Sequence, residues 1–185
     1  MMVGAVLTQN TSWTNVTKAL EQIKAAGMMN YQSLLNVPHK LLAELIKPSG
    51  YYNLKAERLK NLLQMIENSY EGSLELLFAD EPWAARDNLL QVKGVGPETA
   101  DSILLYGGKH SVFVVDAYTH RVFSRHGLVP AECDYNELQE LFMDNLKADH
   151  QLFNEYHALI VKVAKSYCKK AKPNCQECPL GVLQE

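Results

Sequence analysis

The segment from Leu89 to Gly108 constrains the fold more than any other part of this chain. Two stretches with apolar residues at helical spacing meet at Lys93-Gly94-Val95-Gly96-Pro97, where two glycines flank one small apolar residue. Glycine permits positive φ and the close approach of another backbone or a ligand. Pro97 suits the first turn of a helix, where its missing N–H costs nothing. Thr99, Ala100, Ile103 and Leu104 then continue on the helical period. The pattern reads helix, tight hairpin, helix. Such a corner aims the N–H groups of Gly96 and its neighbours outward at the positive end of a helix dipole, which can hold a phosphate without any basic side chain. Two glycines are also an ordinary steric solution for turning between helices.

The same period runs through nearly the whole sequence, and only Ser111 to Val115 looks strand-like, so the fold class is all-α. Met1 to Leu7 is an apolar core helix. Thr11 or Ser12 caps Trp13 to Ala25, and Gly27 stops that helix. Tyr31 to Leu35 and Leu41 to Ile46 are short helices, and Pro48-Ser49-Gly50 is a turn. Asn53 is a candidate cap for Leu54 to Tyr70, with Leu54, Leu59, Leu62, Leu63 and Ile66 inward and Lys55 and Arg58 on the solvated face. Asp80-Glu81-Pro82 opens the first hairpin helix. Further helices run from Tyr118 to His126, from a capping box at Asp134 and Glu137 to Leu146, and from Gln151 to Lys165. A boundary near residue 110 divides the chain into domains 1–110, holding the helix-hairpin-helix at about 82–107, and 111–185, with a functional cleft expected between them.

Composition excludes several classes. No window holds eighteen consecutive apolar residues, so no membrane span is expected. Met1 to Leu7 lacks the basic leader and cleavage site of a secretory signal, which points to the cytoplasm. Net charge is −3, with 18 Lys and Arg against 21 Asp and Glu, which is not the balance of a general phosphate binder. A backbone phosphate site needs no basic side chain, however, and Lys162, Lys165, Lys169, Lys170 and Lys172 cluster near the C-terminus, as a solvated helix face or a nucleic-acid contact.

Two further features carry chemistry. Asp116 follows a β-branched apolar run about twenty residues after the hairpin, where a carboxylate is costly to bury without a role. Of the four cysteines, Cys168, Cys175 and Cys178 show C-x6-C-x2-C spacing on a lysine-rich loop, which is metal or cluster spacing, while Cys133 stands apart as a free thiol.

Lys93 to Ala100 followed by Val114-Val115-Asp116 resembles the helix-hairpin-helix, Gly/Pro-rich loop and Asp signature of the base-excision DNA glycosylases of the endonuclease III type. The sequence is most similar to the group that includes the type III 3-methyladenine DNA glycosylases. The resemblance covers nearly the whole chain and takes in Gln9-Asn10-Thr11 and Pro48 to Ala56. It implies two helical domains around a DNA-binding cleft, and a monomer acting on double-stranded DNA with a damaged base or abasic site, nucleoid-associated in a bacterium or archaeon. It implies that Gln9 and Asn10 enter the duplex beside the flipped nucleotide and that Lys93, Gly94, Val95, Gly96 and Thr99 grip the strand. Asp116 would be catalytic, and a helix N-cap role is compatible with the same position.

Glu98 stands where bifunctional members carry the lysine that attacks C1′ and cleaves the strand, and a carboxylate cannot form a Schiff base. The resemblance therefore implies a monofunctional glycosylase, suited to alkylated bases that are already good leaving groups. Trp13, Tyr51 and Tyr52 are candidates to stack on such a base, or else core residues. Relatives bind a [4Fe–4S] cluster through C-x6-C-x2-C-x5-C, and here the fourth position is Gln184. A three-thiolate cluster, zinc, or no metal at all are the readings of that loop. Related proteins also carry a further N-terminal segment with a helix and aromatic residues near the base pocket, so the expectation here is either a truncated start or a fold that closes differently. The alternatives are a bifunctional glycosylase/AP lyase acting on oxidised pyrimidines and a non-catalytic DNA-binding module.

Overall fold

Polar side chains set most of the helix starts. Ser12, Asn30, Ser73, Glu81, Asp116, Asp134 and Asp149 each accept a backbone N–H from the first turn that follows. The result, in a computed structural model that describes residues 1–184 with the side chain of Gln184 excepted, is a set of α-helices with no strand among the described residues. They are α1 (Met2–Leu7), α2 (Trp13–Ala25), α3 (Tyr31–Asn36), α4 (His39–Leu45), α5 (Tyr52–Tyr70), α6 (Leu74–Ala79), α7 (Pro82–Leu90), α8 (Pro97–Ile103), α9 (Ala117–Arg125), α10 (Tyr135–Asn145) and α11 (His150–Ser166). A π-turn over Leu104–Gly108 prolongs α8. The chain divides into two compact units, Met1–Gly108 and the remainder from Lys109.

The first unit packs α1 to α8 around α5, whose Leu59, Leu62 and Ile66 are fully buried with Val6, Ile23, Leu42, Leu77 and Leu89. The two hairpin helices are cross-linked by a forked ion pair. Arg86 Nε and Nη2 lie 2.6 and 3.1 Å from the two carboxylate oxygens of the buried Asp101, the geometry that gives charge-assisted bonds their strength.

The second unit is built on an aromatic cluster. Phe113 stacks on Phe142 at 3.9 Å and meets Phe153 and Tyr156 edge-on. Its segment, Ser111 to Val115, is buried from Val112 onward but is no strand. Side chains of α10 take the place of a neighbouring strand, since Gln139 Nε2 donates to Phe113 O (2.6 Å) and the Tyr135 hydroxyl accepts from Val115 N (3.4 Å).

Three expectations for α5 are corrected. The helix starts at Tyr52, with Tyr51 in the left-handed region at φ 46° as its N-cap, so Asn53 is not the cap. Leu54 faces solvent. Lys55 is 1% exposed rather than solvated, and its Nζ donates to Leu7 O (2.8 Å) and Ser49 O (2.6 Å). An amine in an apolar interior is tolerated when carbonyl oxygens satisfy it. Burial holds its pKa below the ordinary lysine value, with a further push from Arg58.

Candidate functional site

The hairpin is joined to the loop after α1 by one amide. Gln9 Nε2 donates to Gly94 O (3.1 Å) and Thr99 Oγ1 (3.0 Å), and Gln9 Oε1 accepts from Arg58 Nη1 (2.5 Å). Gln9, Gly94 and Thr99, singled out separately in the sequence, thus form one constellation, which includes Arg58. Gln9 is engaged within the protein, whereas Asn10 stands exposed with φ 54°, a conformation that stores strain in a non-glycine residue. Gly94 takes φ 97°, and a Cβ there would run into Arg58 Cγ, with Arg58 Cδ at 2.8 Å.

Two hairpin expectations change. Gly96 has φ −103°, an unstrained extended conformation, and a Cβ on it would meet nothing within 4 Å. Val95 is buried and its N–H bonds to Val92 O (2.9 Å), so neither its side chain nor its N–H is available to a ligand. Gly96 remains exposed as the N-cap of α8, with no side-chain cap bond over it. Lys93 is exposed, with Nζ 3.1 Å from Glu57 Oε1. Glu98 is exposed in the first turn of α8.

Asp116 is both the N-cap of α9 and a nearly enclosed carboxylate, its side chain 13% exposed. Oδ1 accepts from Thr119 N (2.7 Å) and Thr119 Oγ1 (2.9 Å), and Oδ2 lies 3.5 Å from His157 Nε2 on α11. Burial pushes the carboxyl pKa up, but His157 and then Thr119 outweigh it, so the group lies below the ordinary aspartate value and is ionised at neutral pH. Capping and a charged, oriented carboxylate therefore coexist in one side chain. Thr119 was legible as the N3 partner of a capping Asp. His157, forty-one residues away in sequence, carried no signal.

The aromatic candidates are not core residues. Trp13 is 54% exposed with its ring against Gly4, and Tyr51 is 71% exposed at its left-handed position. Tyr52 is partly exposed, with Lys47 Nζ 5.6 Å from its ring centroid.

The three thiols of the cysteine loop differ in burial. Cys168 is buried at the end of α11, Cys175 is exposed and Cys178 partly so. All three line one small cavity with His126 and Gly181. Among the described residues, however, no three His, Cys, Asp or Glu side chains gather as a metal-ligand group. Arg125 Nη1 donates to Cys168 Sγ (3.3 Å) and Lys169 O (2.8 Å), and Nη2 donates to Lys170 O (2.7 Å). Arg121 adds bonds to Cys168 O (2.7 Å) and Ala164 O (3.3 Å). Gln184, at the fourth ligand position, has its side chain outside the described residues. The three thiols are one short of the four thiolates usual for a [4Fe–4S] cluster, and two arginines cross-link the loop to α9.

Comparison with known proteins follows the same lines. The family model described as HhH-GPD superfamily base excision DNA repair protein matches residues 3–148. A Methanocaldococcus jannaschii protein provisionally named a DNA repair glycosylase is 46% identical over 181 residues, covering 97% of this chain and 82% of that protein. Endonuclease III of Thermotoga maritima is 29% identical over 178 residues, covering 96% and 78%. The crystal structure of H. pylori 3-methyladenine DNA glycosylase bound to 1,N6-ethenoadenine superposes with a TM-score of 0.78 at 33% identity, covering 89% of this chain and 83% of that one.

Proposed function

The chain belongs to the HhH-GPD superfamily of base excision DNA repair proteins, and we propose that, as a DNA N-glycosylase of that family, it hydrolyses the N-glycosidic bond of a flipped, alkylated base in duplex DNA without cutting the strand. The observation that carries this reading is the Asp116 carboxylate, nearly enclosed, ionised, held at Oδ1 by Thr119 and 3.5 Å from His157 Nε2 at Oδ2. A base inside the stack cannot be reached at C1′, so the nucleotide must first be flipped out. Breaking the bond then builds oxocarbenium-like charge on the sugar. A fixed carboxylate facing that sugar stabilises the charge and orients the attacking water.

Position 98 supports hydrolysis over lyase chemistry, because its carboxylate cannot attack C1′ as an amine does. Lys55 is enclosed by carbonyls, so its amine offers no replacement. An alkylated purine carries positive charge and leaves readily, and the exposed rings of Trp13 and Tyr51 are suited to stack on it. The substrate named for the H. pylori relative supports the same class. Asn10, Lys93, Gly94, Gly96 and the Gln9–Thr99 constellation would hold the duplex, with the protein acting as a monomer on chromosomal DNA. No helix among the described residues is long and apolar enough to cross a membrane.

The test is release of free base from DNA treated with a methylating agent, combined with borohydride trapping on abasic duplex. Release without a trapped adduct is expected. An adduct in high yield would establish the bifunctional reading, and binding without release from any lesion duplex would establish a non-catalytic module. Asp116→Asn should reduce release roughly 10²–10³-fold, the scale of losing one electrostatic stabiliser, while binding to an abasic-analogue duplex is kept. A folded Asp116→Asn protein working at the parent rate would remove Asp116 from the mechanism.

A further inference from the structure

α9 and α11 are the two helices most extensively packed on each other in the second unit, and one polar contact between them reaches the Asp116 carboxylate. On the α9 side, Oδ1 is held by Thr119, fully buried, through two donors from one residue. Both of these donors act on Oδ1, so Oδ2 is left to a partner from another helix. The second oxygen, Oδ2, has His157 Nε2 at 3.5 Å, and the imidazole is itself only 12% exposed. His157 stands on the middle turn of a 17-residue helix, with Phe153 and Ile160 of the same helix buried on either side. An imidazole on so rigid a support gives Oδ2 a fixed reference.

We propose that His157 is a positioning residue for Asp116: from α11 it holds Oδ2 while Thr119 holds Oδ1, so that the plane of the carboxylate is set before the flipped sugar arrives. The inference rests on the catalytic reading of Asp116 given above. His157 need not touch the substrate, since its action passes through Asp116. The groups bearing on this carboxylate are Thr119 from α9 and His157 from α11, and an imidazolium at His157 would attract it. Burial opposes ionisation here and His157 favours it. Removing the imidazole therefore leaves burial less opposed, and the carboxyl should protonate at higher pH.

The experiment compares parent, His157→Ala, His157→Gln and Asp116→Asn by three readouts: thermal stability, a carbon-detected NMR titration of the Asp116 carboxyl, and single-turnover base release from methylated duplex as a function of pH. The NMR readout needs no substrate, so it stands even if the lesion class is wrong. Both His157 variants are expected to move the Asp116 titration and the acid limb of the rate profile to higher pH. His157→Ala should also slow release about tenfold at neutral pH, within the range of coupling between touching residues. His157→Gln, which keeps a donor without the charge, should recover most of that loss. Combined with Asp116→Asn, His157→Ala should cause no further loss. A merely structural histidine would lower the melting temperature and leave the Asp116 titration in place, which overturns the proposal. If His157→Ala does not fold, an unmoved titration in His157→Gln overturns it equally. A parent-rate Asp116→Asn protein, by contrast, defeats the catalytic reading of Asp116 and not the His157 contact, which the titration reports separately.

Discussion

Gly94→Ala and Gly96→Ala look like the same substitution in the sequence and are opposites in the structure. At Gly94 the backbone has φ 97°, outside the regions open to alanine. Holding a non-glycine residue there costs on the order of 1–3 kcal/mol. The added methyl would also displace Arg58, whose Nη1 holds Gln9, which in turn holds Gly94 O and Thr99. Losing one charge-assisted bond adds about 1.5 kcal/mol. A total of roughly 3 kcal/mol corresponds to a fall of about 6–12 °C in melting temperature at this chain length. At Gly96 the backbone is extended and a methyl meets nothing, so folding should be unchanged within about 0.5 kcal/mol. Thermal melts of both variants, with titration onto an abasic-analogue duplex, separate the contributions. Weakened DNA binding by a normally stable Gly96→Ala protein would report close approach of a phosphate to that backbone. Equal melting temperatures for the two variants would refute the reasoning.

Other consequences follow from single side chains. Lys55→Met removes the donor from Leu7 O and Ser49 O and should destabilise the fold by about 3 kcal/mol, read as a lower denaturant midpoint; an unchanged midpoint would show that water replaces the amine. If arginines rather than a metal cross-link the C-terminal loop, Arg125→Ala should lower the melting temperature more than joint Cys168→Ser, Cys175→Ser and Cys178→Ser. Iron or zinc at one site per chain, lost with the fold in the triple variant, would reverse that conclusion. Because the Asp116 pKa is lower folded than unfolded, the group contributes stability that is present above the ordinary aspartate value and lost as pH falls through the folded one. Asp116→Asn should therefore flatten the acid side of a stability–pH curve, and a parent-shaped curve would count against the Asp116 contacts.

Helices, caps and the hairpin were legible because they are local. Ser12, Glu81, Asp116 and the Asp134–Glu137 box announce helix starts within four residues of the groups they satisfy. The hairpin was legible too, but not the conformations inside it, since Gly-Val-Gly does not say which glycine carries positive φ. Packing was hidden. Lys55 reads as surface by type, and only tertiary structure brings Leu7 O and Ser49 O to its amine. The same holds for Arg86 on Asp101, Arg58 on Gln9 and His157 on Asp116, each a pairing across sequence distance that no period encodes. The cysteine spacing suggested a ligand set, but spacing along a chain does not reveal that a guanidinium meets Cys168.

The Gln9 amide also acts as a stitch between two stretches of chain 85 residues apart. The loop that ends in the strained Asn10 and the hairpin that ends in Gly96 are sewn to each other through it. If both touch the duplex, the span between them behaves as a caliper with its jaws locked. Such a gauge cannot follow the helix; the helix must take up the difference. Steps that bend and unstack easily would then be accepted and stiff ones refused, before any base is inspected for damage.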